Sequence, residues 1–158
     1  MLTIIGCGNP NRRDDGAGVV VVQRLQASLG NGLPPDVRIF DAGTAGMDVM
    51  FQARGSRALI LVDACRSGSE PGAVFEVPGE ELAACPAPSY NLHDFRWDHA
   101  LFAGRQIYGD DFPEDVSVYL IEAASLELGI GLSPEVEQAV EKVVGRLAER
   151  IGAWRDDD

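Results

Sequence analysis

The sequence predicts an α/β protein: a three-layer sandwich with a twisted, mostly parallel five-stranded sheet, one antiparallel edge strand and helices on both faces. Three observations predict it. Short apolar runs alternate with segments of helical period, as parallel strands and their crossover helices do. The run at 58–64 is apolar at nearly every position, which suits a central strand covered on both faces. Only residues 73–77 alternate, after the turn Gly68-Ser69-Glu70-Pro71-Gly72, which marks an antiparallel edge.

Each element has its local reason. Residues 2–7 form an apolar strand that ends at the turn Gly8-Asn9-Pro10. Residues 16–29 place Val19, Val22, Leu25, Gln26 and Leu29 at helical spacing, and Gly30, Gly32 and Pro34-Pro35 stop that helix. A second strand covers 37–42 and ends at Gly43, and a short helix over 47–53 ends at Gly55. After the third strand and the edge strand, residues 79–91 carry Pro86 and Pro88 and read as a loop. A helix over 94–107 and a strand over 116–121 follow. Ser133-Pro134-Glu135 opens the last helix with an N-cap residue, a proline at the first position and an acid favoured by the dipole. Its stripe of Val136, Val140, Val143, Val144, Leu147, Ile151 and Trp154 faces the core.

Composition bounds the function. The 158 residues are 46% hydrophobic and 24% charged, which excludes disorder, collagen and coiled coil. One domain over residues 1–155 with an acidic tail at 156–158 is expected. The longest apolar runs, 19–22 and 58–62, fall far short of the ~20 residues that span a bilayer, and no signal-peptide pattern opens the chain. Acids outnumber basic residues 25 to 13, for a net charge of -12. No basic cluster exists to neutralise phosphates, so nucleic acid and anionic membrane are excluded as partners. A cation or a basic protein segment fits better. Three cysteines without C-x-x-C spacing speak against a disulfide framework or zinc cluster and point to a reducing cytoplasm. Cys7 and Cys65, each following an apolar run, read as small buried hydrophobes.

In parallel sheets the ligand sits beyond the carboxyl ends of the strands. Those ends hold Asp14-Asp15, Asp41, Asp63 and Glu122, and these acids are expected to converge on one crevice. Dinucleotide binding is disfavoured. Gly6-Cys7-Gly8 begins the glycine fingerprint, but its third position is Asn11, and two carboxylates stand where a pyrophosphate needs the helix N-terminus. A divalent transition metal suits carboxylates with imidazole. Of the two histidines, His93 lies between a proline-rich loop and a helix, a natural place for a site residue. His99, six residues on, points to another face and reads as a surface or packing histidine. The acids also have structural roles open to them. Asp14 or Asp15 can cap the first helix, and Asp41 can close an Asx-turn. Asp63 follows the most apolar strand, where a carboxylate needs partners or a cation. No G-x-S-x-G elbow or H-E-x-x-H motif is present, and a Cys65–His93 thiolate pair stays open.

Taken in order, these pieces resemble the endopeptidases that mature [NiFe]-hydrogenases, peptidase family M52. The matching segments are Gly6-Cys7-Gly8-Asn9, Asp14-Asp15-Gly16-Ala17-Gly18-Val19, Asp41-Ala42-Gly43-Thr44-Ala45-Gly46, Val62-Asp63-Ala64, Leu92-His93-Asp94, and Glu122 with Leu132-Ser133-Pro134-Glu135-Val136. The resemblance implies removal of a C-terminal extension from a nickel-loaded hydrogenase large-subunit precursor, with that nickel as the recognition signal. It implies Asp15, Asp63 and His93 as the metal ligands and Asp41 as a further functional acid, a general base or a group that orients the peptide. The first ligand is Glu or Asp across the family. Asp is shorter by one methylene, ~1.5 Å, so the metal must approach the helix start. Where the family often reads Glu-Pro, this chain has Glu122-Ala123. The expectation is a cytoplasmic monomer with no tightly bound cofactor of its own. Two alternatives are a non-catalytic nickel or precursor chaperone and a different peptidase on the same scaffold.

Overall fold

β1 (Leu2–Cys7) is buried along its whole length, which a strand reaches only at the centre of a covered sheet. In the computed structural model, which describes residues 1–82 and 97–156, it lies between two parallel neighbours, β2 (Val37–Gly43) and β3 (Ala58–Cys65). β5 (Asp115–Glu122) extends the sheet beyond β3 in parallel, and β4 (Val74–Pro78) closes that edge antiparallel. The order is β2-β1-β3-β5-β4. The chain leaves β1 toward β2 on one side and returns to β3 on the other. The switch point between β1 and β3 opens a crevice at their carboxyl ends.

Helices cover both faces. α1 (Ala17–Leu29) and α4 (Pro134–Asp156) pack on one side with Ile4, Ile60 and Tyr119 of the sheet. α2 (Gly46–Ala53) and α3 (Trp97–Tyr108) pack on the other with Ile5, Leu61 and Val118. Adjacent residues of one strand therefore feed opposite cores, which explains why β1 and β3 lack alternation. Val136, Val140, Val143, Leu147 and Ile151 of α4 are buried as the stripe predicts. Each contributes roughly 1.5–3 kcal/mol of transfer free energy at most. Arg24 of α1 pairs with Glu137 and Glu141 of α4 across the seam.

The expected elements are all present, with ends moved by one or two residues; residues 83–96, which include part of the expected loop and the start of the α3 segment, lie outside the described residues. Two glycines explain how closely α1 approaches the sheet. A Cβ on Gly18 would stand 2.2 Å from the Val62 carbonyl oxygen and 2.5 Å from that of Cys7. A Cβ on Gly6 would stand 2.3 Å from the Gly18 oxygen. Only hydrogen fits at either position, so the Gly-Ala-Gly start of α1 sits directly on the sheet beside the switch point.

Candidate active site

Where β1 ends, the pairing with β2 slips by one residue: Gly6 faces Asp41 but Cys7 faces Gly43. The irregularity re-aims the strand ends next to a cavity, as bulges beside active sites do. Gly8 then turns with φ +130°, and the 3-10 turn Arg13–Gly16 folds back over it. A Cβ on Gly8 would lie 1.8 Å from the Asp15 carbonyl oxygen, so this fold-back requires glycine. The Asn9 backbone N–H donates to Asp15 Oδ2 at 2.9 Å and fixes that carboxylate.

Asp63 arrives from β3. Its side chain is only 6% exposed, and its Oδ1 accepts from the Ala64 N–H at 2.8 Å. Asp15 and Asp63 both line one cavity of about 490 Å³ at the switch point. Its wall continues through Cys7, Gly43, Thr44, Val49, Cys65 and Leu126. Two of the three expected ligands thus share one crevice. His93 lies outside the described residues. Among the described residues no group of three His, Cys, Asp or Glu could hold a metal ion.

The other strand-end acids do not line this cavity, which corrects the expectation that all converge there. Asp14, adjacent to Asp15, is buried and turned away from it. Its Oδ2 accepts from the Ala124 and Ser125 N–H groups at 2.9 and 3.0 Å and from the Ser133 hydroxyl at 2.7 Å. Its Oδ1 accepts from the Ser133 N–H at 2.7 Å. Asp14 therefore does not cap its own helix; it ties the turn after β1 to the segment that leads into α4. Burial pushes its carboxyl upward, but the Ser133, Ser125 and Ala124 donors outweigh that and hold it below the ordinary carboxylate range.

Glu122 is equally committed. The Cys65 thiol donates to Oε2 at 3.1 Å, the Ser67 hydroxyl to Oε2 at 2.8 Å, and the N–H groups of Ser67, Gly68 and Ser69 to Oε1 at 2.9–3.1 Å. The Cys65 donor is the largest influence, and with Ser67 and Gly68 it outweighs burial and holds this carboxyl low as well. Glu122 shapes the turn after β3, whose Cys65, Arg66 and Ser67 line the cavity. The glycine-rich turn itself was the signal for these lining residues, because it follows the carboxyl end of a strand.

Asp41 forms the Asx-turn open to it from sequence: its Oδ1 accepts from the Gly43 N–H at 2.8 Å, and its side chain is exposed. It does not line the cavity, but the segment it holds does, through residues 43–46. Cys7 is buried, as a small hydrophobe should be, whereas Cys65 is half-buried and engaged with Glu122. Cys85 lies outside the described residues. His99, in the first turn of α3, stands 3.5 Å from Asp98 and takes no part in the cavity.

A statistical description of the hydrogenase maturation proteases matches residues 19–150 of this chain. The chain belongs to the hydrogenase maturation protease family. The hydrogenase 2 maturation protease of Escherichia coli strain K12 is 31% identical over 153 residues, covering 94% of this chain and 91% of that protein. The coenzyme F420 hydrogenase subunit delta of Methanothermobacter thermautotrophicus is 27% identical over 160 residues, covering 96% and 94%. Among solved structures, the hydrogenase maturating endopeptidase HybD from E. coli superposes with a TM-score of 0.72 at 28% identity, over 94% of this chain and 93% of that one. As a member of this family the protein is a hydrolase that cuts peptide bonds. Among the described residues no helix is long and apolar enough to cross a membrane.

Proposed function

We propose that this maturation protease removes the C-terminal extension from a nickel-loaded large-subunit precursor of a [NiFe] hydrogenase, and that it acts as a cytoplasmic monomer without a resident metal. The carrying observation is that Asp15 and Asp63, 48 positions apart, face one crevice at the sheet's switch point. In this reading Asp15, Asp63 and His93 take an open position on the precursor's nickel. Hard oxygen donors with one imidazole suit a borderline divalent ion. Docking on that ion fixes the scissile peptide against the 43–46 segment and makes cleavage effectively unimolecular. The substrate's own metal polarises the carbonyl or activates a water. Asp41 orients the peptide through the turn it closes with Gly43, rather than by contact across the cavity.

The test is incubation with the precursor, with and without nickel, read by mass. Shortening of the nickel-loaded form alone is expected. Cutting of the metal-free form would reveal another peptidase on this scaffold, and binding without shortening a chaperone. Asp15→Asn, Asp63→Asn and His93→Ala should each abolish tail removal while melting close to the parent. Full processing by the Asp63→Asn protein rejects its role.

A further inference from the structure

Among the described residues, the charged side chains that line the cavity are Asp15, Asp63 and Arg66. In the proposed reading one divalent ion of the substrate balances both carboxylates. The Arg66 guanidinium is then the charge left over on the wall. It is exposed and makes no ion pair or hydrogen bond with the described residues. Arg24, Arg57 and Arg150, by contrast, are taken up by Glu137 and Glu141, by the Trp154 ring and by Glu76.

The backbone that carries Arg66 is pinned on both sides. Before it, the Cys65 thiol donates to Glu122 Oε2. After it, the N–H and hydroxyl of Ser67 and the N–H groups of Gly68 and Ser69 donate to the same carboxylate. A group extended from a fixed turn loses less entropy when it binds. Arg66 follows Asp63 by three positions, a span of at most ~11 Å. A peptide that brings its metal to Asp63 therefore passes the guanidinium as well. Filling the cavity strips water from that charge, which is costly unless a counter-charge replaces the water. A carboxylate does so best, through two parallel charge-assisted hydrogen bonds to the guanidinium fork.

We propose that Arg66 is a specificity-determining residue that binds a carboxylate of the peptide lying in the cavity, on an Asp or Glu side chain beside the cut. The inference rests on the proposed precursor-cleaving function and names one feature of its substrate. The outer surface, with its net charge of -12, draws basic segments at a distance, whereas the wall at Arg66 selects an acid and repels Lys or Arg. The contact is made alike before and during the reaction, so its loss falls on KM rather than kcat.

The experiment measures tail removal from the nickel-loaded precursor by the parent, Arg66→Gln, Arg66→Glu and Arg66→Lys. Arg146→Glu, exposed on α4 and away from the cavity wall, controls for net charge. Because both arginines are exposed, all variants should melt like the parent. Arg66→Gln should raise KM about tenfold, Arg66→Glu more and Arg66→Lys less, with Arg146→Glu within about twofold. Replacing the acids beside the cut in the precursor by their amides should cost the parent the same factor and cost Arg66→Gln nothing further. Unchanged KM in Arg66→Glu overturns the proposal, as does an equal rise in Arg146→Glu or a precursor with no acid beside the cut. A fall in kcat at unchanged KM also overturns it, because the guanidinium would then serve the developing oxyanion. A change confined to inhibition by the processed large subunit would assign Arg66 to the newly formed C-terminal carboxylate and overturn the side-chain assignment. In a protein that never shortens the precursor, Kd by calorimetry takes the place of KM. Tenfold weaker binding by Arg66→Gln then supports the carboxylate contact and refutes the cleavage reading, so the two failures are distinct.

Discussion

Replacing Asp14 by Asn tests the tie between the turn after β1 and the segment leading into α4. The carboxylate accepts four hydrogen bonds, three of them on Oδ2, from a buried position. Asn has nearly the same shape. With its oxygen at Oδ2, three bonds persist at neutral strength, each weaker by about 0.5 kcal/mol or more. Its amide then faces the Ser133 N–H, donor to donor, which costs about 1–3 kcal/mol for the unsatisfied group. A net loss of about 3 kcal/mol follows, which at this chain length lowers Tm by roughly 6–12 °C. The pH dependence has a fixed sign. The folded carboxyl lies below its unfolded range, so its stabilisation is present above pH ~4 and fades as pH falls through the folded value. The gap between parent and variant is therefore widest near neutrality and narrows in acid. Thermal melts of both proteins from neutral to acid pH provide the measurement. A variant that melts within about 1 °C of the parent at pH 7 would show that the four contacts do not stabilise the fold.

Three further outcomes are expected. Gly18→Ala inserts a methyl 2.2 Å from the Val62 carbonyl oxygen, so α1 must lift from the sheet, at a cost of about 3 kcal/mol or more read by urea unfolding. Glu122→Gln removes the charged acceptor that the Cys65 thiol and the 67–69 turn donate to, so the variant should be less stable at neutral pH, with the difference shrinking in acid as the parent's carboxyl protonates. Asp41→Asn keeps an oxygen for the Gly43 N–H and should process precursor at close to the parental rate, whereas Asp41→Ala loses the turn and should slow it; equal loss in both variants would point to a direct proton-transfer role.

The fold was legible because its local signals agree. Apolar runs bounded by glycine and proline announced β1, β2 and β3, and the Ser133-Pro134 pair marked the start of α4. The candidate site was partly legible. The rule that ligands sit at strand carboxyl ends, with the family resemblance, selected Asp15 and Asp63, and both line the cavity. The same rule overcounted, because neighbouring acids look alike in a sequence. Asp14 and Asp15 differ in role through the direction each side chain takes from one 3-10 turn. Glu122 looked like another crevice acid, yet its partners lie 53–57 positions away in the turn after β3.

The sequence by itself determined the order of strands and helices and the acidic surface, because these follow from side-chain polarity and its periodicity read locally, whereas the positions where only glycine fits emerged from the close approach of α1 and the turn after β1 to the sheet. Tertiary structure alone decided which carboxylates face the cavity and which are tied to backbone donors. A carboxylate's role depends on the donors that surround it, and those donors come from turns far away in the chain, brought close only when β1, β3 and β5 align.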